Sequence, residues 1–558
     1  VYTFTPDYLK YDKKSEVQAS NIAMTNIQTE NILTYNLALP SEHKLELMAG
    51  MTYNYDLLQN LSGTAKGGPT NSIKYAGEGW PSLFNDGGTV RAAQSFLTNQ
   101  QEQSLLSFLG RAAYSYKKRY MAELSIRADG SSVFGKDVRW GTFPSVGLGW
   151  AFSEEHFMKK FWWLSFGKLR ASWGKSGQKF QEPYLALGVM EESNIFNGSL
   201  GLIPQSMANK KLTWEESDQY DLGLDLQMLD YRLKLKLDYY YKYSSKLLMQ
   251  SYLPGNVFLA TNMWDNASAI SNEGIEFEAQ YDVIRKKNWN WSVGFNLSHN
   301  KNMLRKTYNG EDLNDKVLGR PVYGIYTFKD EGIVQKEEDI PMYLNASGKQ
   351  IPLYFQSINN PLRVGGRKIK DQNYDGVIDD KDLYYAGSTL PAVYGGLNSH
   401  LEWKGLSFDV LFSYTISRKV MNMYKNSAFT FTKDFGVIMN YFHAGDFWTT
   451  SNRDAKYPSL EFADKDYVGQ FDGNVDSNIE NISFLRLKQL VIGYQIPKNW
   501  LKGSFIKDAN VYLSGENLFL LTNYSGVDPE IINPYSGKDD GTQYPLNRKV
   551  TLGLNLKF

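Results

Sequence analysis

Residues 220–239 read Tyr220-Asp221-Leu222-Gly223-Leu224-Asp225-Leu226-Gln227-Met228-Leu229-Asp230-Tyr231-Arg232-Leu233-Lys234-Leu235-Lys236-Leu237-Asp238-Tyr239, two alternating arms around a turn. A strand turns successive side chains to opposite faces, so each arm has an apolar face and a charged face. Each arm is also long enough to cross a bilayer at a tilt. The hairpin is therefore predicted to turn one set of side chains to lipid and the other to a wet lumen. The lipid set is Leu233, Leu235, Leu237, Tyr239 and Tyr241, and the lumen set is Lys234, Lys236 and Asp238.

The same alternation recurs along the chain, and residues 551–558 repeat it before ending on Phe558. Strand-like segments lie near 28–38, 43–56, 102–117, 119–130, 143–153, 165–174, 214–229, 231–249, 270–284, 288–304, 391–403, 405–419, 482–496, 509–521 and 547–558. Tight turns alternate with long loops at 57–101, 175–213, 304–390 and 420–481. Outer-membrane barrels have this asymmetry, with the long loops outside the cell.

Counting strands upward and downward constrains two further segments. Residues 1–9 are predicted to be the remnant of an upward strand that precedes 28–38. The apolar segment 322–328 would break the alternation if it were a wall strand. It is therefore placed in an extracellular insertion that spans 304–390.

Composition agrees with a barrel and excludes other classes. Lys and Arg number 60 against 60 Asp and Glu, so the basic excess of a nucleic-acid binder is missing and no such partner is expected. Tyr numbers 38 and Trp 13, which suits aromatic girdles at two membrane interfaces. Cysteine is absent, which excludes disulfides and thiol chemistry. No apolar run approaches the ~18 residues of a spanning helix.

No enzymatic constellation is found in the sequence. The five histidines are scattered without the spacing of a metalloprotease motif. Trp173-Gly174-Lys175-Ser176 ends like a phosphate loop, but Leu169 stands where the first glycine belongs. A turn at a strand end is the better interpretation, and no enzymatic activity is expected.

One motif points to a metal ion. Segment 371–382 carries oxygen-bearing side chains at positions 1, 3, 5, 9 and 12 of a twelve-residue loop, with Gly376 at the sharp-turn position. The predicted ligands of a structural Ca²⁺ are Asp371, Asn373, Asp375, the Val377 carbonyl, Asp379 and Asp382. Asp382 replaces the usual glutamate, which should weaken the site. The alternative is a solvated cluster of side-chain turns.

Further short motifs punctuate the strands: Arg127-Ala128-Asp129-Gly130-Ser131-Ser132 with Phe134-Gly135 and Trp140-Gly141, Asn272-Glu273-Gly274-Ile275-Glu276, Phe484-Leu485-Arg486-Leu487-Lys488, Gly515-Glu516-Asn517-Leu518 and Gly526-Val527-Asp528-Pro529-Glu530. With the calcium-type loop and the terminal strand, their order and rough spacing resemble the SusC/RagA family of TonB-dependent outer-membrane transporters. The resemblance covers nearly the whole chain.

That resemblance implies an N-terminal plug, a TonB-contacting segment, a barrel of about 22 strands and a SusD-like surface lipoprotein as its lid. The pattern over 1–558 accounts for about 16 strands and shows no plug. The chain is expected to be the C-terminal part of such a barrel. The plug and first strands would lie in a missing segment or on another chain.

The expected fold is all-β, a transmembrane antiparallel β-barrel that crosses the outer membrane of a Gram-negative bacterium many times. The resemblance implies TonB-dependent active import of a nutrient oligomer, an oligosaccharide or oligopeptide, together with the SusD-like lipoprotein. Two alternatives remain open: a passive porin of about 16 strands, and a soluble β-rich glycan-binding protein. The sequence does not indicate which residues contact a substrate.

Overall fold

The computed structural model describes residues 2–3, 15–40, 42–68, 83–86, 89–92, 94–196, 199–254, 256, 262–313, 316–345, 347–423, 443–463, 474–541 and 543–558. Helical structure in these ranges consists of short 3₁₀ turns, none of which approaches the length and apolarity of a membrane-spanning helix. The 3₁₀ turns are Phe152–Glu154, Leu185–Leu187, Glu337–Asp339, Asp380–Asp382, Ala444–Asp446, Leu460–Ala463, Asp476–Asn478 and Lys498–Trp500.

The protein is all-β, as predicted, and its long strands belong to one 17-stranded sheet. The long strands are Ser15–Ala38, His43–Gly68, Gln94–Tyr116, Tyr120–Ser131, Trp140–Trp150, Leu164–Gln178, Glu215–Met228, Leu233–Tyr252, Asn262–Lys286, Trp289–Lys306, Val393–Trp403, Leu406–Asn422, Ile479–Gln495, Asp508–Thr522 and Lys549–Lys557. Every predicted strand segment coincides with one of them.

The chain divides into two compact units. The first comprises 1–147, 173–218 and 244–268, and the second comprises 148–172, 219–243 and 269–558. The first unit contains an antiparallel ladder in the order Ser15–Ala38, His43–Gly68, Gln94–Tyr116 and Tyr120–Ser131. The second contains an antiparallel ladder that starts with the part of Asn262–Lys286 from residue 269 onward and continues in the order Trp289–Lys306, Val393–Trp403, Leu406–Asn422, Ile479–Gln495, Asp508–Thr522 and Lys549–Lys557.

Several strands are longer than predicted. The segment predicted to end at residue 56 continues as a strand to Gly68, and the one predicted to start at 102 starts at Gln94. The added parts interrupt the regular apolar alternation used for the prediction, because adjacent apolar residues such as Leu57-Leu58 and Phe96-Leu97 are mixed with Gln, Asn, Ser, Thr and Gly. Backbone pairing nevertheless continues through them.

Short strands fill the connections. They are Tyr2–Thr3, Leu83–Asp86, Thr89–Ala92, Val189–Phe196, Ser199–Ser206, Gly324–Thr327, Asp330–Ile333, Met342–Leu344, Gln350–Pro352, Tyr354–Phe355, Arg367–Ile369, Val377–Ile378, Tyr384–Ser388 and Lys538–Asp539. Tyr2–Thr3 pairs with Ser15–Ala38, as predicted for the start of the chain, while residues 4–9 lie outside the described residues. Gly324–Thr327 pairs with Tyr384–Ser388 inside the insertion, which confirms that 322–328 is not a wall strand.

The glycine- and aromatic-rich motif at 127–141 builds a core in the first unit. Phe134, Phe143, Phe180 and Trp214 pack there with Val133, Leu185, Ala186 and Leu212. A Cβ at Gly135 would overlap the Lys210 carbonyl oxygen, so the motif needs glycine at that position. The motif thus folds the connection after Tyr120–Ser131 onto Trp214.

Two other motifs form one clamp in the second unit. Arg486, on the strand Ile479–Gln495, is 3% exposed and forms ion pairs with both Asp528 and Glu530. Asp528 also accepts the Glu530 amide at 3.0 Å and the Leu546 amide at 3.2 Å. The clamp therefore fixes the connection after Asp508–Thr522 to the wall. Releasing that connection would leave the charge of Arg486 buried without a partner, which is strongly unfavourable.

The two faces of the wall predict opposite responses to substitution. Leu235→Arg near the bilayer midplane should cost about 2–4 kcal/mol of folding free energy, because it places a charge in lipid. Lys236→Gln should change stability by less than about 0.5 kcal/mol, because the opposite face is wet. Urea unfolding in liposomes measures both, and equal losses would contradict the assignment of faces.

Candidate functional site

Ion pairs cover the charged face of the second unit. Arg170 donates to both oxygens of Asp225, at 2.8 and 3.0 Å, and to Asp238 at 2.8 Å. Lys236 pairs with Glu278 at 3.1 Å. These side chains come from four different strands, so one polar surface is continuous across them.

The opposite face of the same strands is apolar and has no protein cover. Leu237 and Tyr239 are 45% and 46% exposed. Large apolar side chains in this state are expected where the solvent is lipid. The predicted alternation is confirmed, since Lys236 and Asp238 lie on the ion-paired face and Leu237 and Tyr239 on the other. That the apolar face meets lipid and the polar face the lumen stays a prediction.

The polar face of the first unit contains a concavity of about 520 Å³. Arg127 donates to both oxygens of Asp129, at 2.7 and 2.9 Å, on one side of it. Phe143 and Trp214 also border it, but they are only 7% and 4% exposed because they belong to the core of the unit. Lys179 also lines it. The concavity therefore offers charged and polar side chains, which suit contact with a polar oligomer.

Two long loops of the second unit share one apolar core. The core contains Val334, Ile340, Leu353, Phe355, Leu362, Ile369 and Ile378 from the insertion, and Val475 from the loop after Leu406–Asn422. Trp448 of that second loop donates from Nε1 to Gln335 Oε1 at 3.0 Å. We call residues 316–390, 443–463 and 474–478 the loop cap, because these contacts join them.

Asp476 ties the loop cap together. One carboxylate oxygen accepts from Lys329 at 2.6 Å and from the Tyr384 hydroxyl at 2.7 Å, and the other accepts the Asp330 amide at 2.9 Å. Burial raises the pKa of the Asp476 carboxyl, but the bonds from Lys329, the Asp330 amide and Tyr384 outweigh burial and leave it below its usual range. Asp330 in turn pairs with Arg367, and both side chains are 8% exposed.

The predicted calcium loop lies in this cap and has the expected turn. Gly376 has φ +84°, the left-handed conformation that favours glycine. Asp371 is 5% exposed, and its two oxygens accept the amides of Tyr374 at 2.6 Å and Gly376 at 2.8 Å. Burial and a hydrogen bond to Asp371 raise the pKa of Tyr343 to about 12, so this phenol stays protonated.

The last predicted ligand is completely buried. Asp382 accepts the Gln372 amide at 2.7 Å and the Asp379 amide at 2.9 Å. Burial, with a smaller contribution from the charge of Asp371, raises the pKa of the Asp382 carboxyl. The two ends of the loop thus hold a pair of buried carboxyl groups.

The remaining ligands form local turns. Asn373 accepts the Asp375 amide, Asp375 accepts the Val377 amide, and Asp379 accepts the Lys381 amide. Lys381 Nζ lies 3.9 Å from Asp375 and 3.6 Å from Asp379. Among the described residues, no three His, Cys, Asp or Glu side chains are arranged to hold a metal ion. The donor chemistry fits a hard cation, while the side chains bond to the loop's own amides.

Asp476 and Trp448 were not singled out from the sequence. Asp476 bonds to Tyr384 and Trp448 bonds to Gln335, and in both pairs the partners are more than 90 positions apart in the chain. Neither lies in an alternating strand or a recognisable motif, so only pairing information between distant positions would have identified them.

Comparisons with known proteins agree on one family. The family described as "TonB dependent receptor-like, beta-barrel" matches residues 2–334. TonB-dependent receptor P26 of Formosa agariphila is 30% identical over 100% of this chain and 57% of its own length. TonB-dependent receptor SusC of Bacteroides thetaiotaomicron is 29% identical over 86% of this chain and 46% of its own. The chain spans about half the length of these relatives.

Solved structures support the fold. A structure described as the RagAB peptide transporter matches with a TM-score of 0.78 at 22% identity, over 98% of this chain and 57% of that one. The RagAB peptide importer in its open-open state gives a TM-score of 0.76 at 23% identity, over 98% and 56%. At this level of identity the likeness concerns the fold.

The Asp476 bonds predict an acid-sensitive loop cap. Asp476→Ala should lower the free energy of opening the cap by about 3 kcal/mol, because Lys329, Tyr384 and the Asp330 amide lose an ionised acceptor. Since the folded pKa is depressed, this stabilisation is present at neutral pH and is lost as pH falls below about 4. Hydrogen exchange of cap amides measures the opening.

Glu461→Ala, at an exposed acid in the same cap, is the matched control and should leave exchange unchanged. Equal exchange in the two variants, or acid sensitivity that persists in Asp476→Ala, would contradict the role of Asp476.

Proposed function

Because the chain belongs to the TonB-dependent receptor-like β-barrel family of the outer membrane, of the SusC/RagA type, we propose that it forms the wall of an active importer of nutrient oligomers. The observation that carries this proposal is the two-faced wall. Its ion-paired face offers a wet path, and its uncovered apolar face matches lipid.

The substrate is proposed to be an oligosaccharide or an oligopeptide. The charged and polar side chains of the concavity in the first unit, Arg127, Asp129 and Lys179, suit either class, because sugar hydroxyls and peptide groups both form hydrogen bonds. The RagAB structures are described as a peptide transporter and importer, whereas SusC is named only as a TonB-dependent receptor. These names apply to those proteins and leave both classes as candidates here.

A SusD-like surface lipoprotein is the proposed partner, and the loop cap is its proposed docking surface. Long loops of outer-membrane barrels are extracellular. The cap has its own apolar core and a buried ion pair, so it can hold a fixed surface toward a partner. TonB and a plug would act through parts of the protein outside this chain.

We also propose that loop 371–382 binds Ca²⁺ with modest affinity. Asp371, Asn373, Asp375, the Val377 carbonyl, Asp379 and Asp382 would supply oxygen ligands after the side chains turn from the loop amides. The ion would replace Lys381 as the neutralising charge beside Asp375 and Asp379. Its contribution would be to stiffen the loop cap.

Uptake in cells tests the transport proposal. Cells that express the full-length protein should accumulate fluorescein-labelled oligosaccharides or oligopeptides, and deletion of TonB should abolish this accumulation. Surface binding of the label should persist without TonB. Uptake that is unchanged without TonB would instead identify a passive porin, and recovery of folded protein without detergent would favour a soluble protein.

Calorimetry on the full-length protein in detergent tests the calcium proposal. The wild type should bind Ca²⁺ with a Kd of about 10⁻⁴–10⁻³ M, as extracellular modules do. Asp375→Asn with Asp379→Asn keeps the acceptors of both turns, removes two charges and should abolish binding. Glu337→Gln with Glu338→Gln, on exposed acids of the same cap, is the control. No binding by wild type at millimolar Ca²⁺ would refute the site.

A further inference from the structure

A concavity of about 380 Å³ lies on the uncovered apolar face of the second unit. It crosses four neighbouring strands, Asn262–Lys286, Trp289–Lys306, Val393–Trp403 and Leu406–Asn422. Two cross-strand rows line it: Ala279, Phe295, Leu397 and Phe412 in one, and Tyr281, Val293, Ser399 and Val410 in the other. We call it the wall groove.

The groove is on the lipid side of the wall. Alternation places the polar residues Glu278, Gln280 and Asp282 on the other face, where Glu278 pairs with Lys236. Leu397 is 38% exposed although it is apolar. Small side chains at Ala279 and Ser399 stand between larger ones, so the surface is concave there.

Below the groove, the same face ends in an aromatic and basic rim. Trp289, Trp291 and Trp403 are 46%, 36% and 48% exposed. Lys286 pairs in register with Trp289, and Lys404 follows Trp403 with its ammonium 5.6 Å from the ring centroid. Aromatic side chains of this kind mark a membrane interface, here on the side of the short turns.

The cations of this rim are unmatched. In the described part of the chain, Lys286, Lys287 and Lys404 are exposed and lie beyond salt-bridge distance of any carboxylate. The nearby acids Asp282 and Glu402 belong to the polar face, since their register partners are Ser292 and Asn290. The lipid face of the rim therefore carries positive charge only.

The distance between groove and rim suits one leaflet. Leu397 and Trp403 are six residues apart, which is about 20 Å along a strand. A strand tilt of about 40° places the groove about 15 Å from the rim, half of a hydrocarbon core of about 30 Å. A lipid whose phosphate lies at the lysines would place its acyl chain along the groove.

We propose that the wall groove and the lysine rim form a binding site for one anionic phospholipid of the periplasmic leaflet. Lys286, Lys287 and Lys404 contact the headgroup phosphate, and the acyl chain fills the space beside Ala279 and Ser399. Each lysine near an anionic surface contributes about 1 kcal/mol of attraction. A zwitterionic lipid would gain less, because its own ammonium repels the lysines.

Native mass spectrometry of the full-length protein in detergent tests this site with phosphatidylglycerol and phosphatidylethanolamine as probes. The wild type should retain phosphatidylglycerol more strongly. Lys286→Gln with Lys404→Gln should weaken that retention about 30-fold, the factor for two lysines at about 1 kcal/mol each. Ala279→Leu, which fills the groove, should weaken it with all lysines intact.

Lys498→Gln with Lys502→Gln is the matched control, because these exposed lysines belong to the turn before Asp508–Thr522 and not to the groove. It should stay near wild type. If both double-lysine variants lost phosphatidylglycerol retention equally, the attraction would come from the overall positive charge and the site would be overturned. Equal retention of both lipids by the wild type would also overturn it. Displacement by millimolar inorganic phosphate would show a phosphate site without acyl recognition. Gel mobility of the unheated protein confirms that each variant is folded.

Discussion

Backbone hydrogen bonding in hydrocarbon is the constraint on which this structure depends. An amide or carbonyl without a partner in the membrane costs several kcal/mol, so a spanning β-protein must pair every wall strand with its neighbours. The ladders from Ser15–Ala38 to Tyr120–Ser131 and from Asn262–Lys286 to Lys549–Lys557 meet this requirement by antiparallel pairing. Once the backbone is paired, the side chains project from two faces of the sheet. The polarity of each face then matches the medium it contacts, lipid or water.

The long connections between the wall strands are stabilised differently. There, buried charges act together with the apolar core of the loop cap. Arg486 with Asp528 and Glu530 holds one connection to the wall, and Asp476 with Lys329 and Tyr384 holds two loops to each other. Such networks specify one arrangement, because breaking one partner leaves a buried charge. A partner protein would therefore meet a defined surface.

The sequence predicted the wall well because a period of two is local information. The faces of Leu237 and Lys236 can be predicted from the residues next to them, because successive side chains of a strand point to opposite faces. Strand extensions such as 57–68 were missed because adjacent leucines and several glycines interrupt the two-residue alternation there. The loop cap was missed for another reason. Val475 packs into a core whose other members lie more than 90 residues earlier in the chain, and no local sequence pattern indicates such a contact. Within loop 371–382 the turn at Gly376 was correct, but the bonds of Asp382 to the Gln372 and Asp379 amides depend on burial.

In this fold one face of each wall strand should meet lipid and the other should meet water. The chain has no cysteine, so single cysteines can be placed along Trp289–Lys306 and spin-labelled in liposomes. Accessibility to molecular oxygen should peak at positions 293, 295 and 297, and accessibility to a water-soluble nickel chelate should peak at 292, 294 and 296. A profile without a two-residue period, or with the two reagents in the opposite phase, would show that the two faces are assigned wrongly.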